Sequence, residues 1–188
     1  MIDHPNTLAE AILANIDMNT DKVYQRIGEF VVSYQWVEDK YRQIGQFILD
    51  PNRTVWPPTA LRNETTQQLL KKVTRLYEEA LSTMHLPHEG EMRASFHETT
   101  ARFNKLRQVR NRILHSVYIE IKSGGEIRGL LRADIQNRQN EQQLDPPAQE
   151  FLSDKSFEKI MERLGSVAID ISRHYMQLLH RFGVHFGA

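Results

Sequence analysis

The stretch RQVRNRILHSVYIEIKSGGEIRGLL, Arg107–Leu131, is where the hydrophobic period of this chain changes. Up to His115 the apolar residues Phe96, Phe103, Leu106, Val109 and Ile113 recur at helical spacing, with Thr99 or Thr100 on the same face. From Val117 onward β-branched and aromatic residues alternate with polar ones, the period of a strand. The segment therefore predicts a helix over about residues 91–115 and a β-hairpin over about 117–131. A three-residue loop, Ser123-Gly124-Gly125, closes the hairpin, with glycine supplying the positive φ. In that register Ile121 faces Ile127, Glu120 faces Arg128 and Lys122 faces Glu126, so opposite charges meet across the strands.

Outward from this point the helical period dominates. Val23, Ile27, Phe30, Val31, Tyr34, Val37, Tyr41, Ile44 and Ile48 lay one stripe along a helix from Thr20 to about Leu49. Thr20 or Asp21 can cap its start, and Asp50-Pro51 stops it. The loop PNRTVWPPTALRN follows, in which Pro57-Pro58 forbids helix and Trp56 is expected to pack back on the bundle. A second helix is predicted over about 63–84, with Asn63 and Thr65 as candidate caps and Leu69, Val73, Leu76, Tyr77, Ala80, Leu81 and Met84 inward. The last runs over about 153–182 through Phe157, Ile160, Leu164, Val167, Ile171, Tyr175, Leu178 and Leu179, and Leu8, Ile12 and Ile16 suggest a short helix near the start. Residues 134–150 are polar and read as a loop or a short solvated helix. The expected fold is all-α: an up-and-down bundle of four to five helices with a small β-hairpin before the last helix, one domain over 1–188 with its core at about 20–182.

Composition narrows the function classes. At 188 residues the chain can bury one real core. Lys plus Arg equals Asp plus Glu, so no overall field draws nucleic acid or an anionic membrane, and any such binding needs a local patch. The chain has no cysteine, which removes disulfides, thiolate nucleophiles and Cys-based zinc sites. The start carries acids and an early Pro instead of a basic segment followed by an apolar run, and no stretch is apolar enough to span a bilayer. A soluble, cytoplasmic protein is expected. Walker, dinucleotide-binding and nucleophile-elbow motifs are missing, so no cofactor is expected.

The polar groups at the end of the third helix carry what chemistry can be read. Asn111 and His115, four apart, share a helical face, whereas Arg110 and His115, five apart, meet only if the long Arg curls round where the helix stops. The bland account is that cations in a last turn simply interact favourably with the helix dipole. The run over 93–115 holds Arg93, Arg102, Lys105, Arg107, Arg110 and Arg112 against Glu98 alone, a net charge of +5 that suits phosphates.

Arg110-Asn111-Arg112-Ile113-Leu114-His115 resembles the signature of the HEPN superfamily of helical-bundle ribonucleases and nucleotide-binding proteins, in which Arg, then Asn, Asp or His, a short spacer and His close the penultimate core helix. The aromatic and acidic residues Trp36 and Glu38 in the first long helix, and the helix order over about 20–182, are similar too. The resemblance implies a metal-independent endoribonuclease acting as a homodimer, in a toxin or phage-defence setting with an antitoxin partner. It points to Arg110, Asn111 and His115 as catalytic. Lys105, Arg107 and Arg112 are the candidate RNA contacts.

The residue types fit that chemistry. Imidazole as a class titrates near pH 6.5, so His115 suits proton transfer to and from RNA oxygens. Arg110 can give two hydrogen bonds to a phosphate, and Asn111 can orient the ring or hold a phosphoryl oxygen. A second His115, from a twin subunit, would supply the remaining proton donor. The competing expectations are a module that binds RNA or nucleotide at these residues without cutting, and a helical interaction protein whose motif is structural. Elsewhere, Trp36 is expected in the core or a dimer interface and Glu38 as a surface or helix-pair charge. His85, His88, Glu89 and Glu91 form a loose cluster too poor in ligands for a metal site, and His174, His180 and His185 are expected to be surface or partly buried polar groups.

Overall fold

The computed structural model describes residues 20–51, 59–84, 88–133, 149–152 and 154–181. Among these the order is α1 (Thr20–Leu49), α2 (Thr59–Arg62), α3 (Thr66–Met84), α4 (Glu89–His115), β1 (Val117–Ser123), β2 (Glu126–Ala133), β3 (Gln149–Phe151) and α5 (Asp154–Arg181). This is the all-α class with a hairpin inserted before the last helix. The chain groups into two compact units, 1–31 with 110–160 and 32–109 with 161–188, so α1, α4 and α5 each give residues to both. The suggested helix around Leu8, the packing of Trp56, and the cluster member His85 lie outside the described residues.

The helix ends follow local chemistry. α3 begins at Thr66, later than the hydrophobic pattern alone suggests, because Thr65 and Gln68 form a reciprocal cap. The Gln68 amide donates to Thr65 Oγ1 at 3.4 Å, and the Thr65 amide donates to Gln68 Oε1 at 2.9 Å. Within the predicted loop, Thr59–Arg62 form one helical turn and Leu61 is fully buried.

The second unit is built on a column of rings. Tyr34 and Tyr41 of α1 stack on Phe103 of α4 with centroids 4.7 and 5.2 Å apart, and Tyr77 of α3 stacks on Phe96 of α4 at 4.0 Å. His174 of α5 stands edge-on to Tyr77 and Phe96 at 5.6 and 5.2 Å. It is a core residue, only 3 % exposed, which corrects the expectation of a surface or partly buried group. Its Nδ1 faces the Tyr77 hydroxyl at 3.0 Å and its Nε2 faces Ser95 Oγ at 3.3 Å, so the buried ring keeps hydrogen-bond partners. Burial pushes His174 down to about 4, with Asp170 opposing that shift and Arg173 adding to it.

Glu38 is likewise buried. Arg42 pairs with it at 2.6 Å and the Thr66 hydroxyl donates to its other oxygen at 2.6 Å, joining α1 to α3 as a helix-pair charge. Trp36 sits one residue off the buried stripe and is 53 % exposed, so it is not part of this core.

In the first unit Val23 and Phe30 of α1, Ile113 of α4, Leu130 and Leu131 of β2, Leu152, and Phe157 of α5 are buried. The hairpin register differs from the expected one. Gly124 and Gly125 both have positive φ, 64° and 84°, and make a two-residue turn, so Ser123 pairs Glu126 and Lys122 pairs Ile127. A bulge between Ile121 and Lys122 then sets Ile121 opposite Gly129 and Glu120 opposite Leu130, in place of the expected Ile121–Ile127 and Glu120–Arg128 register. β2 runs on to Ala133, and β3 pairs antiparallel with it, Leu131 opposite Phe151. The sheet thus has three strands, and part of the segment read as a polar loop is a strand.

Two outcomes test this packing. A methyl group on Gly45 would lie 2.6 Å from Leu61 Cδ1 and 3.1 Å from Val73 Cγ2, whereas one on Gly165 meets nothing within 4 Å. Urea unfolding should show Gly45→Ala destabilised by about 1–2 kcal/mol despite the better helix former, and Gly165→Ala stabilised by about 0.5–1 kcal/mol. The pH test concerns His174, whose folded value near 4 lies below the ordinary 6.5. The unfolded chain therefore takes up the proton first, and stability is full above pH 6.5 and falls as pH drops from 6.5 through 4, by about 2–3 kcal/mol. Stability of His174→Phe measured across that window should fall correspondingly less.

Candidate functional site

The site is set by how α4 stops. Its last carbonyls need donors, and side chains beyond the helix supply two of them. Ser116 Oγ donates to the Arg112 carbonyl at 2.5 Å, and the Tyr118 hydroxyl donates to the Ile113 carbonyl at 2.6 Å. Val117, Tyr118 and Ile119 then continue as β1, where branched and aromatic side chains are at home. In the middle of β1, Tyr24 of α1 donates to Glu120 Oε1 at 3.2 Å. Ser116 and Tyr118 were not singled out in the sequence, although a hydroxyl directly after a helical period is a recognisable signal.

Around this end the candidate residues divide. Arg110 is half-buried and donates from Nη1 to Asn111 Oδ1 at 3.1 Å. His115 is exposed and makes no hydrogen bond or ion pair among the described residues, so Asn111 partners the guanidinium and not the imidazole. Arg112 is exposed. Leu114, Val117 and Ile119, which flank His115 in sequence, are 41 %, 43 % and 46 % exposed.

The other candidates, Lys105 and Arg107, belong to the second unit. Lys105 is exposed, and Arg107 donates from Nε to Asn104 Oδ1 at 2.8 Å. The net positive run over 93–115 is weaker than the sequence suggests. Arg93 pairs with Glu89, and Arg102 with Asp170 of α5, which also takes a bond from Arg173 at 2.9 Å. The Arg102 hydrogen bond holds the Asp170 carboxyl below its ordinary range against the opposing effect of burial. These two arginines are engaged within the fold.

Comparison with protein-family models, with curated proteins and with solved structures finds no match. Among the described residues no group of three His, Cys, Asp or Glu side chains is placed to hold a metal ion, and no helix is long and apolar enough to cross a membrane.

Removing either terminal hydroxyl should loosen the helix end without touching the guanidinium or the imidazole. Ser116→Ala and Tyr118→Phe should each cost about 0.5–1.5 kcal/mol and speed amide hydrogen exchange over residues 110–115. Unchanged exchange in both variants would show that something else ends the helix.

Proposed function

We propose that the chain is a metal-independent endoribonuclease of HEPN type whose site is completed by a second copy of itself. The observation that carries this reading is the exposed imidazole of His115 beside a helix end whose carbonyls are bonded by other residues. An exposed histidine with no task in the helix end is available for proton transfer. Arg110, held against Asn111 one residue away from it, offers a planar guanidinium that can give two hydrogen bonds to a phosphate.

The chemistry needs two proton transfers. His115 of one copy takes the proton of the 2′-hydroxyl while that oxygen bonds to phosphorus. The P–O5′ bond breaks, and the imidazolium of the second copy's His115 gives its proton to O5′. The products are a 2′,3′-cyclic phosphate and a 5′-hydroxyl, and Arg110 meets the charge that builds on the phosphoryl oxygens. Among the described residues one chain places a single imidazole at this end, which is why the reading includes a homodimer. Arg112 is the nearby cation for a neighbouring phosphate. A toxin or phage-defence setting and an antitoxin partner rest on the motif resemblance alone.

A second reading has one observation in its favour. Asn111 bonds Arg110, and among the described residues no hydrogen bond fixes the imidazole tautomer. That suits a module which holds RNA or a nucleotide phosphate without cutting it.

Incubation with mixed RNA in EDTA separates the two. Cleavage to cyclic phosphate ends is expected, lowered about 10²–10⁴-fold in His115→Ala and about 10²–10³-fold in Arg110→Ala, with circular dichroism unchanged. Binding without cleavage establishes the module, and equal cleavage by His115→Ala removes His115 from the mechanism.

A further inference from the structure

Between α3 and α4 the second unit carries an open groove of about 420 Å³, within the size range of small-ligand clefts, about 300–1,000 Å³. One wall presents Gln67, Lys71 and Arg75 at successive four-residue steps along α3, and the other presents His97, Thr100 and Asn104 along α4. Leu70 and Ala101 give it an apolar lining between those polar rows. The groove's one carboxylate, Glu78, faces His97 Nε2 at 2.6 Å, and Arg75 approaches Glu79 at 3.5 Å. Lys71 is exposed and makes no ion pair among the described residues. A further cation stands at Asn104, because Arg107 donates to that amide at 2.8 Å.

Hydrogen-bonding rows with cations, on either side of a narrow apolar strip, match a single-stranded polynucleotide. Its phosphates want cations, its riboses want amides and hydroxyls, and its bases want an apolar surface. An acidic peptide could answer the lysine, but it has less use for the amide pair or for the apolar strip. We propose that this groove holds a single-stranded stretch of RNA, with Lys71 and Arg107 meeting phosphates and Gln67 and Asn104 bonding riboses. The inference rests on the ribonuclease reading and adds to it a second contact that gives long substrates their affinity.

The test uses a labelled 12-nucleotide single-stranded RNA and the full chain carrying His115→Ala, so that binding is read without cleavage. Adding Lys71→Glu should weaken binding at least tenfold and Lys71→Gln about threefold. The slope of log Kd against log salt should fall by about 0.7, one phosphate contact on a single strand. With His115 intact, Lys71→Glu should cut a dinucleoside phosphate as fast as the parent chain, since so short a substrate does not need the groove. A 12-mer bound equally well by the Lys71→Glu protein overturns the groove, and so does an acidic peptide that binds there while RNA does not. If the chain cuts RNA while affinity ignores Lys71, only the groove fails. If the chain neither binds nor cuts RNA, the ribonuclease reading fails and the groove with it.

Discussion

A helix that ends inside a folded chain leaves carbonyls in want of donors, and how they find them decides what the neighbouring side chains are free to do. At the end of α4 the donors are the hydroxyls of Ser116 and Tyr118, set on Arg112 and Ile113. Had the imidazole of His115 capped the helix, it would be fixed in a structural role. Because two neutral hydroxyls take that part, a histidine stands exposed at the point where helix becomes strand. The strand matters as much as the cap. Val117, Tyr118 and Ile119 hold an extended backbone that prevents the helix from continuing past the motif.

Elsewhere the chain follows the opposite rule and spends its polar groups on structure. Glu38 is buried but bonded to Arg42 and Thr66, and His174 is buried but faced by Tyr77 and Ser95. Arg102 is bound to Asp170. Breaking any of these leaves a polar group out of water without its partner, which costs more than the bond itself contributes. The aromatic column through Tyr34, Phe103, Tyr41, Phe96 and Tyr77 supplies the apolar burial around them. The contrast between engaged polar groups in the core and the exposed His115 is what makes the helix end stand out.

Much of this was legible in the sequence. The apolar stripe and the Asp50-Pro51 stop fixed α1, and the stripes of α3, α4 and α5 placed their buried faces. The cap on α3 was readable from Thr65 and Gln68, three apart, but periodicity alone started the helix earlier. His174 falls in step with Val167, Ile171 and Leu178, so its burial was present in the stripe, masked by the polar character of its residue type. The hairpin turn was found but closed by two residues, because consecutive glycines can both take positive φ. β3 had no signal of its own: three residues beginning Gln-Glu become a strand only because β2 offers them an edge. At the helix end, the Asn111 bond to the guanidinium and the closing hydroxyls had no signal in the spacing of the candidate residues. Those depend on rotamers and on where β1 turns.

The central claim is that the His115 ring meets a phosphodiester. The most direct measurement is to follow the ring nitrogen and carbon signals of all eight histidines by nuclear magnetic resonance while a dinucleoside phosphate lacking its 2′-hydroxyl is added. The account predicts that the His115 signals move in proportion to occupancy, that those of buried His174 stay in place, and that Arg110→Ala weakens the response. A ligand that saturates the protein while the His115 signals remain where they were would contradict it.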